Sequence, residues 1–327
     1  MSSTRNKLIE ILALNNDGYI SGQAISDKLQ ISRSAVWKHM KELEKDGYKI
    51  EGKSNKGYRI IGFPNKLSEN TITWGLDSKW LGKNIIHKES TSSTQTIAHE
   101  HARNQAPNGT VIIADEQTDG RGRINRNWDS TKEKGIWMSI ILRPEIPAHH
   151  APQLTLLTAT VLADVLSSYP LLQPQIKWPN DILLNGKKCA GILTEMQAEQ
   201  DQIWYVIIGI GLNVKHTRED LSEELRHRAT SLGMETEKDW SIQELIQKIL
   251  ATFEKTYELY LERGFGEIKE KWEHYGFKIG KEVNIKTMKE EWKAPFLGIA
   301  EDGAMLTISK DGHNQRIYSA EISWFDN

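Results

Sequence analysis

The chain has 327 residues, 38% hydrophobic and 26% charged, with a formal charge of −2, so it exceeds one ordinary core and has a soluble globular composition with two or three expected domains. Its longest apolar stretch, Trp204 to Val214, is interrupted by glycines and too short to span a bilayer, and the start MSSTRNK has no signal-peptide core. The single cysteine, Cys189, excludes an internal disulfide, fits a cytoplasmic location, and sits in an apolar run that favours burial over reactivity.

Residues 1–66 carry 12 Lys and Arg against 7 Asp and Glu, a net of +5, while the remainder carries 30 against 37, a net of −7. A positive small domain on an acidic body suits phosphate-backbone binding, which is favoured by counterion release. Leu8, Ile9, Ile11, Leu12 and Leu14 form a first apolar helix face, ended by Asn15 to Gly18. Ser21 can cap a second helix with Ala24, Ile25 and Leu29 inward. Ser32 then caps a third, with Val36, Met40 and Leu43 inward. That leaves Arg33, Ser34, Trp37, Lys38 and Lys41 outward, where the second helix of a helix-turn-helix meets a DNA major groove. Tyr48 to Ile50 and Tyr58 to Ile61 read as strands joined by a wing with Lys53 and Lys56 at its tip, so DNA binding leads over a helical docking module.

Phe63-Pro64 marks a linker. The body beyond it alternates apolar segments (Thr110 to Ala114, Gly135 to Leu142, Ile182 to Leu184, Ile192 to Thr194, Tyr205 to Val214) with helical stretches (Thr94 to Arg103, Gln153 to Ser168, Ile242 to Arg263). A mixed sheet covered by helices is the simplest α+β architecture. From Gly276 onward, short alternating strands with Asp302-Gly303 and Asp311-Gly312 turns predict a small β-barrel.

The chemistry concentrates in three stretches. Gly120 to Trp128, GRGRINRNW, supplies Arg121, Arg123 and Arg126, whose planar forks grip phosphate oxygens, with glycines that allow close backbone approach. KWPND, Lys177 to Asp181, joins a cation and an indole to a turn directly after an apolar residue, as at the end of a strand, and in KKCAGILTE Lys187 and Lys188 lead into the apolar run Cys189 to Leu193. Each alone has a bland reading: an exposed basic loop, a core tryptophan, a solvated hairpin tip. No Ser-His-Asp set or metal-ligand spacing is present, and His99 and His101 read as surface residues on a helix.

With Ser93 to Gln95, ADEQTDGRGR and VIIGIGLNV, these motifs resemble, almost end to end, the bacterial biotin protein ligases that also act as biotin operon repressors. The resemblance implies a winged helix-turn-helix over 1–65, a class II synthetase-like ligase domain over 66–275, and an SH3-like barrel over 276–327. It implies that biotin and ATP are substrates, joined as biotinyl-5′-adenylate, with Mg2+ expected alongside ATP through unknown ligands and no protein metal site. A lysine of a carboxylase's biotin carrier domain then receives the biotinyl group. Operator DNA and a second copy of the chain, paired when the adenylate binds, are the further partners; no membrane is involved.

Residue by residue, the resemblance assigns Ser93, Thr94, Gln95 and Gln117 to the biotin ureido ring, the first also reading as an ordinary helix cap. Arg121, Gly122 and Arg123 fall over the biotin carboxylate and adenylate phosphate, Arg126 on a further phosphate, and Trp128 against adenine. Lys188 holds the carboxyl and then the acyl-phosphate oxygens; Lys177 orients or is structural. Asn180 and Asn213 meet the nucleotide, and Asp181 either steers or deprotonates the incoming amine or shapes the turn. In the loop from His216 to Ser231, Arg226 or Arg228 meets phosphate. Ile124 and Asn125 stand where some members have Arg-Gly, implying a less mobile loop, and Ala320 where glycine is common. A lipoate or octanoate ligase, or a transcription factor without ligase activity, are the competing readings.

Overall fold

The computed structural model describes residues 4–13, 18–45, 47–62, 64, 66–287, 290–318 and 320–323. Leu14, Asn15 to Asp17 and Phe63, named above in a helix face, a stop signal and a linker, lie outside the described residues. The chain divides into two units, Met1–Leu76 and Asp77–Asn327.

The first unit runs α1 (Thr4–Ala13), α2 (Gly22–Leu29), α3 (Arg33–Lys45), β1 (Lys49–Lys53), β2 (Gly57–Gly62) and α4 (Glu69–Thr73). The expected caps are made: Ser21 Oγ accepts the Ala24 N–H at 3.1 Å and Ser32 Oγ the Ala35 N–H at 3.2 Å. Each satisfies a helix-end donor left without an intrahelical partner. Leu8, Ile9, Leu12, Ile25, Val36, Met40 and Leu43 bury together with Ile20 and Tyr48. Ile20 and Tyr58 exchange backbone hydrogen bonds of 3.0 and 2.9 Å, pinning the β1–β2 hairpin to the turn before α2. Gly57 permits this contact, since its φ is +109° and any Cβ would collide with the Ile20 carbonyl. α4, held by a Ser68–Thr71 capping box, had no sequence expectation.

The second unit contains β3 (Ile85–Lys88), α5 (Thr94–Arg103), β4 (Thr110–Ala114), β5 (Gly135–Leu142), α6 (Ala151–Ser167), β6 (Pro174–Lys177), β7 (Asp181–Leu184), β8 (Lys187–Glu199), β9 (Gln202–Asn213), α7 (Leu232–Glu235), α8 (Ile242–Arg263) and α9 (Gly266–Tyr275). Seven strands form one sheet in the order β3-β4-β5-β9-β8-β7-β6, parallel only between β3 and β4. α5 packs on one face through Ala98 and Ala102, against Ile112, Ile141, Tyr205 and Ile207. α6 lies on the opposite face, where Thr155 bonds Thr194 of β8 at 2.7 Å. It is apolar nearly all round because α8 and α9 cover its outer side. All eight residues of β5 are buried, as expected of a central strand covered on both faces.

β10 (Glu282–Lys286), β11 (Glu291–Pro295), β12 (Gly298–Ile299), β13 (Met305–Ile308), β14 (Asn314–Ile317) and β15 (Glu321–Ser323) form two antiparallel three-stranded sheets, β11-β10-β15 and β12-β13-β14. They pack onto the body: Trp178 Nε1 donates to the Gly303 carbonyl at 3.2 Å and Gln153 Nε2 to the Glu301 carbonyl at 2.6 Å. Among the described residues, no helix is long and apolar enough to cross a membrane.

Candidate functional site

β8 and β9 pair with Gly191 opposite Gly211 and Leu193 opposite Gly209. Strand alternation turns Gly209 and Gly211 to the face that α5 covers further along, so the sheet there is bare backbone. A Cβ on Gly191 or Gly211 would lie 2.9 or 2.5 Å from the Trp128 ring, and one on Gly209 2.7 Å from Gln95 Oε1. Both side chains therefore lie directly on the strands. Above them is a cavity of about 440 Å³, walled by the start of α5, the arginine loop, the Lys177 to Asp181 turn and Lys188.

One end is neutral and hydrogen-bonding. Ser93 caps α5 through the Gln95 N–H, at 3.3 Å. Gln117 Oε1 accepts the Thr94 N–H at 2.8 Å and hydroxyl at 3.0 Å, while its Nε2 donates to Ser130 Oγ at 2.7 Å. The Ser139 hydroxyl lies 2.9 Å from Thr94 Oγ1 and donates to Gln95 Oε1 at 3.0 Å. Thr94, Gln95 and Ser139 are at most 3% exposed. Such a satisfied buried network has fixed geometry, because any rotation would orphan a donor or acceptor.

The other end is cationic. The arginine loop closes as a narrow hairpin: Trp128 N–H bonds the Gly120 carbonyl at 2.8 Å and Gly122 N–H the Arg126 carbonyl at 2.7 Å. Ile124, at the tip, is 80% exposed with φ +55°. Arg123 turns inward, its Nη1 donating to Asn180 Oδ1 at 3.1 Å, while Asn180 Nδ2 holds the Ile192 carbonyl at 2.8 Å. Burial pulls the Arg123 guanidinium below its ordinary value, Asp181 opposing and Arg126 adding to the shift. It stays charged but poorly solvated, so an arriving anion gains more there than in water. Lys188 Nζ lies 2.7 Å from Asp181 Oδ1 and 5.0 Å from the Trp128 ring centre. Lys177 reaches the other Asp181 oxygen at 3.5 Å.

Thus Ser93, Thr94, Gln95, Gln117, Arg121, Gly122, Arg123, Arg126, Trp128, Lys177, Asn180, Asp181 and Lys188 line one cavity. Asn213 and Arg228 are not among its lining residues. Asn213 turns its amide to the Thr230 carbonyl at 3.0 Å. Arg228 has an exposed side chain, and its carbonyl takes the Lys188 N–H at 2.8 Å. Arg226 instead bonds the Arg218 and Leu221 carbonyls of its own loop. Sequence reading missed Ser139 and the three floor glycines, whose only signal was the spacing of Gly209 and Gly211 by two. His99 is corrected: it is half-buried between Tyr205 OH, at 3.3 Å, and Glu195 Oε2, at 3.0 Å, because α5 lays this face on the sheet. Among the described residues, no group of three or more His, Cys, Asp or Glu could hold a metal ion.

In the first unit Ser32, Arg33, Ser34, Trp37, Lys38, Lys41, Lys53 and Lys56 are all exposed. Ser32 and Ser34 share a 2.9 Å hydrogen bond, and Lys41 pairs with Glu44 at 2.6 Å.

Residues 88–213 match the Biotin/lipoate A/B protein ligase family, and residues 4–59 match the HTH domain family. A solved structure titled biotin protein ligase from Aquifex aeolicus in complex with biotin and ATP superposes with a TM-score of 0.63 at 31% identity, covering 74% of this chain and 98% of that one. The Bifunctional ligase/repressor BirA of Escherichia coli is 28% identical over 97% of this chain and 96% of its own length. The protein of the same name from Bacillus spizizenii is 47% identical over 98% of both. Identity at that level, sustained through the helix-turn-helix and the sheet alike, makes this chain a member of the bifunctional ligase/repressor family.

Proposed function

We propose that this chain joins biotin to ATP as biotinyl-5′-adenylate and passes the biotinyl group to a lysine on the carrier domain of a biotin-dependent carboxylase. Its amino-terminal unit binds operator DNA, repressing biotin genes with the adenylate as corepressor. The observation that carries the reading is one cavity with neutral hydrogen-bonding groups at one end and fixed cations at the other, in a chain 47% identical to a ligase/repressor along its length.

In the first step a biotin carboxylate oxygen attacks the α-phosphorus while the bond to pyrophosphate breaks. Two anions must meet, so preorganised positive charge does more than an acid-base pair. Arg121, Gly122 and Arg123 sit over carboxylate and phosphate, Arg126 over a further phosphate, and Lys188 exchanges its Asp181 partner for the carboxyl and then the acyl-phosphate oxygens. Ser93, Thr94, Gln95 and Gln117 take the ureido ring. Trp128 packs against adenine, with Asn180 as a nucleotide contact within the cavity; Asn213 and Arg228, which do not line it, meet the nucleotide when the loop from His216 to Ser231 folds over it. In the second step the carrier amine attacks the acyl carbon, AMP leaves with the bonding electrons, and the amine loses a proton; Asp181 steers that amine or receives the proton. Mg2+ arrives with ATP. It would neutralise phosphate charge there; Asp181, the carboxylate lining the cationic end of the cavity, would have to give up its pairing with Lys188 and Lys177 to hold it.

The same reading takes 1–65 as a winged helix-turn-helix, 66–275 as a class II synthetase-like ligase domain and 276–327 as an SH3-like domain, in a cytoplasmic protein. Adenylate binding favours a homodimer, and two half-sites then gain from linkage, the second winged unit binding at high effective concentration. Biotin-dependent exchange of pyrophosphate into ATP tests the enzyme. Exchange supported by lipoate or octanoate but not biotin would overturn the substrate. Footprinting of a biotin-gene promoter should require biotin plus ATP; protection independent of both would overturn the corepressor role.

A further inference from the structure

Gly191 and Leu193 of β8 line the cavity, while Thr194, bonded to Thr155 of α6, faces the other side of the sheet. Strict alternation would next turn Cys189 to the cavity and Lys188 away from it. A bulge reverses this: against β7, Ala190 pairs with Ile182 but Lys188 with Leu183, leaving Cys189 as an extra residue. Lys188 is thereby returned to the cavity side, where a Cβ on Gly191 would lie 3.3 Å from its Cε and Nζ. The strand also changes neighbour at this point. β9 pairs with β8 from Ala190 onward, but Lys188 pairs with Ala229, near the end of the loop from His216 to Ser231. The Lys188 N–H donates to the Arg228 carbonyl at 2.8 Å and its carbonyl accepts the Thr230 N–H at 2.9 Å, so that segment holds both main-chain groups of the lysine. Glu235 of α7 ties segment and strand together. Its Oε1 accepts the hydroxyl of the fully buried Thr230, and its Oε2 the Asn185 amide at the β7–β8 turn, three residues before Lys188, each at 2.5 Å.

We propose that Glu235 is a positioning residue for Lys188: its carboxylate fastens the turn leading into the bulge to the segment that takes the lysine's main-chain hydrogen bonds, and so keeps the ammonium in the cavity. This rests on the ligase reading above, in which Lys188 meets the carboxyl and acyl-phosphate oxygens. Loss of the clamp leaves the buried Thr230 hydroxyl without its acceptor and frees the turn. A one-residue slip that restored alternation would then carry Lys188 out of the cavity and Cys189 in. The Ser231 hydroxyl, bonded to the His216 carbonyl at 2.7 Å, still closes the base of the loop, so the segment keeps its fold when the carboxylate is removed.

The test uses the full chain in biotin-dependent pyrophosphate exchange, alongside amide hydrogen exchange. Glu235→Met, of similar length but without an acceptor, should lower kcat/KM for biotin roughly tenfold. The Lys188 and Thr230 amides should exchange faster in it, while β8 beyond Ala190 stays protected. Glu235→Gln keeps an oxygen for Thr230 and can meet Asn185 with that amide reversed, so it should stay within about threefold of the wild type. In a Lys188→Ala background Glu235→Met should reduce turnover no further, although it lowers the melting temperature equally in both backgrounds. An unchanged kcat/KM, a Gln variant as impaired as the Met variant, or an undiminished loss in the Lys188→Ala background would overturn the assignment. If the wild type shows no biotin-dependent exchange, the ligase reading itself fails and the proposal falls with it.

Discussion

Gly211→Ala isolates the contribution of the bare strand floor. Gly211 sits within β9 with no left-handed φ, so its backbone accepts alanine, and replacing a strand glycine stabilises the fold by about 0.5–1 kcal/mol. The new methyl, however, would lie 2.5 Å from Trp128 Cε2 and Nε1 and 2.9 Å from Cζ2, where carbon contacts prefer about 3.5–4.0 Å. The indole must lift by about 1 Å, leaving the plane it now presents beneath Lys188 Nζ, 5.0 Å from the ring centre. Removing that cation–π interaction costs about 0.5–2 kcal/mol. With the adenine platform proposed for Trp128 displaced as well, about 1–3 kcal/mol is expected, or roughly 5- to 150-fold in kcat/KM for ATP. Pyrophosphate exchange at saturating biotin measures this, with thermal melting expected within a few degrees of wild type. The decisive comparison is the double-mutant cycle with Trp128→Ala, in which Gly211→Ala should do almost nothing further. Undiminished harm in that background would show that the indole does not transmit the effect.

Lys188→Ala and Arg123→Ala should each reduce exchange by at least about 100-fold, in line with removal of one preorganised charge, while circular dichroism stays unchanged; normal turnover in either would remove it from the acyl-phosphate site. Arg33→Ala combined with Lys38→Ala should weaken operator binding at every salt concentration and reduce the slope of log K against log salt by about 1 for each DNA phosphate no longer neutralised; an unchanged slope would move the DNA surface off α3. Glu254, only 3% exposed, takes the N–H groups of Lys79, Trp80 and Leu81 at 2.6, 2.9 and 2.8 Å. Burial pushes its carboxyl up, but these three donors outweigh burial and hold it below its ordinary value. The stabilisation is therefore complete above the unfolded value near 4.5 and is lost as pH falls through the lower folded value. Glu254→Gln should cost about 1–3 kcal/mol in urea unfolding at pH 7, with the gap closing under acid; a gap constant from pH 7 down to the acid limit would refute the ionised clamp.

Much of the local structure was legible because its causes are local. Ser21 and Ser32 as caps, the inward set Val36, Met40 and Leu43, and the limits of Thr94–Arg103 and Ile242–Arg263 follow from periodicity and helix-end chemistry. The short strand β3 and helix α9 escaped, having too few residues or too mixed a pattern to stand out against neighbouring loops, whereas β6 ends at Lys177, where KWPND reads as the end of a strand. β8 reads from sequence as the apolar run Cys189 to Leu193 with the segment Ile192 to Thr194 but extends from Lys187 to Glu199, because its polar outer half is held by pairing with β9 rather than by its own apolarity.

The cations of the site and the basic winged unit belong to the sequence outright: charge, glycine spacing and the three motifs are properties of the chain before it folds. Their meeting does not. Arg123 and Asn180 are 57 residues apart, and Gln95 and Leu193 are 98, and only the strand order β3-β4-β5-β9-β8-β7-β6 brings them to one face. Whether a glycine is a floor or a histidine a surface residue depends on which strand lies beneath it. Sheet pairing is non-local, and no stretch of sequence carries its partner's register.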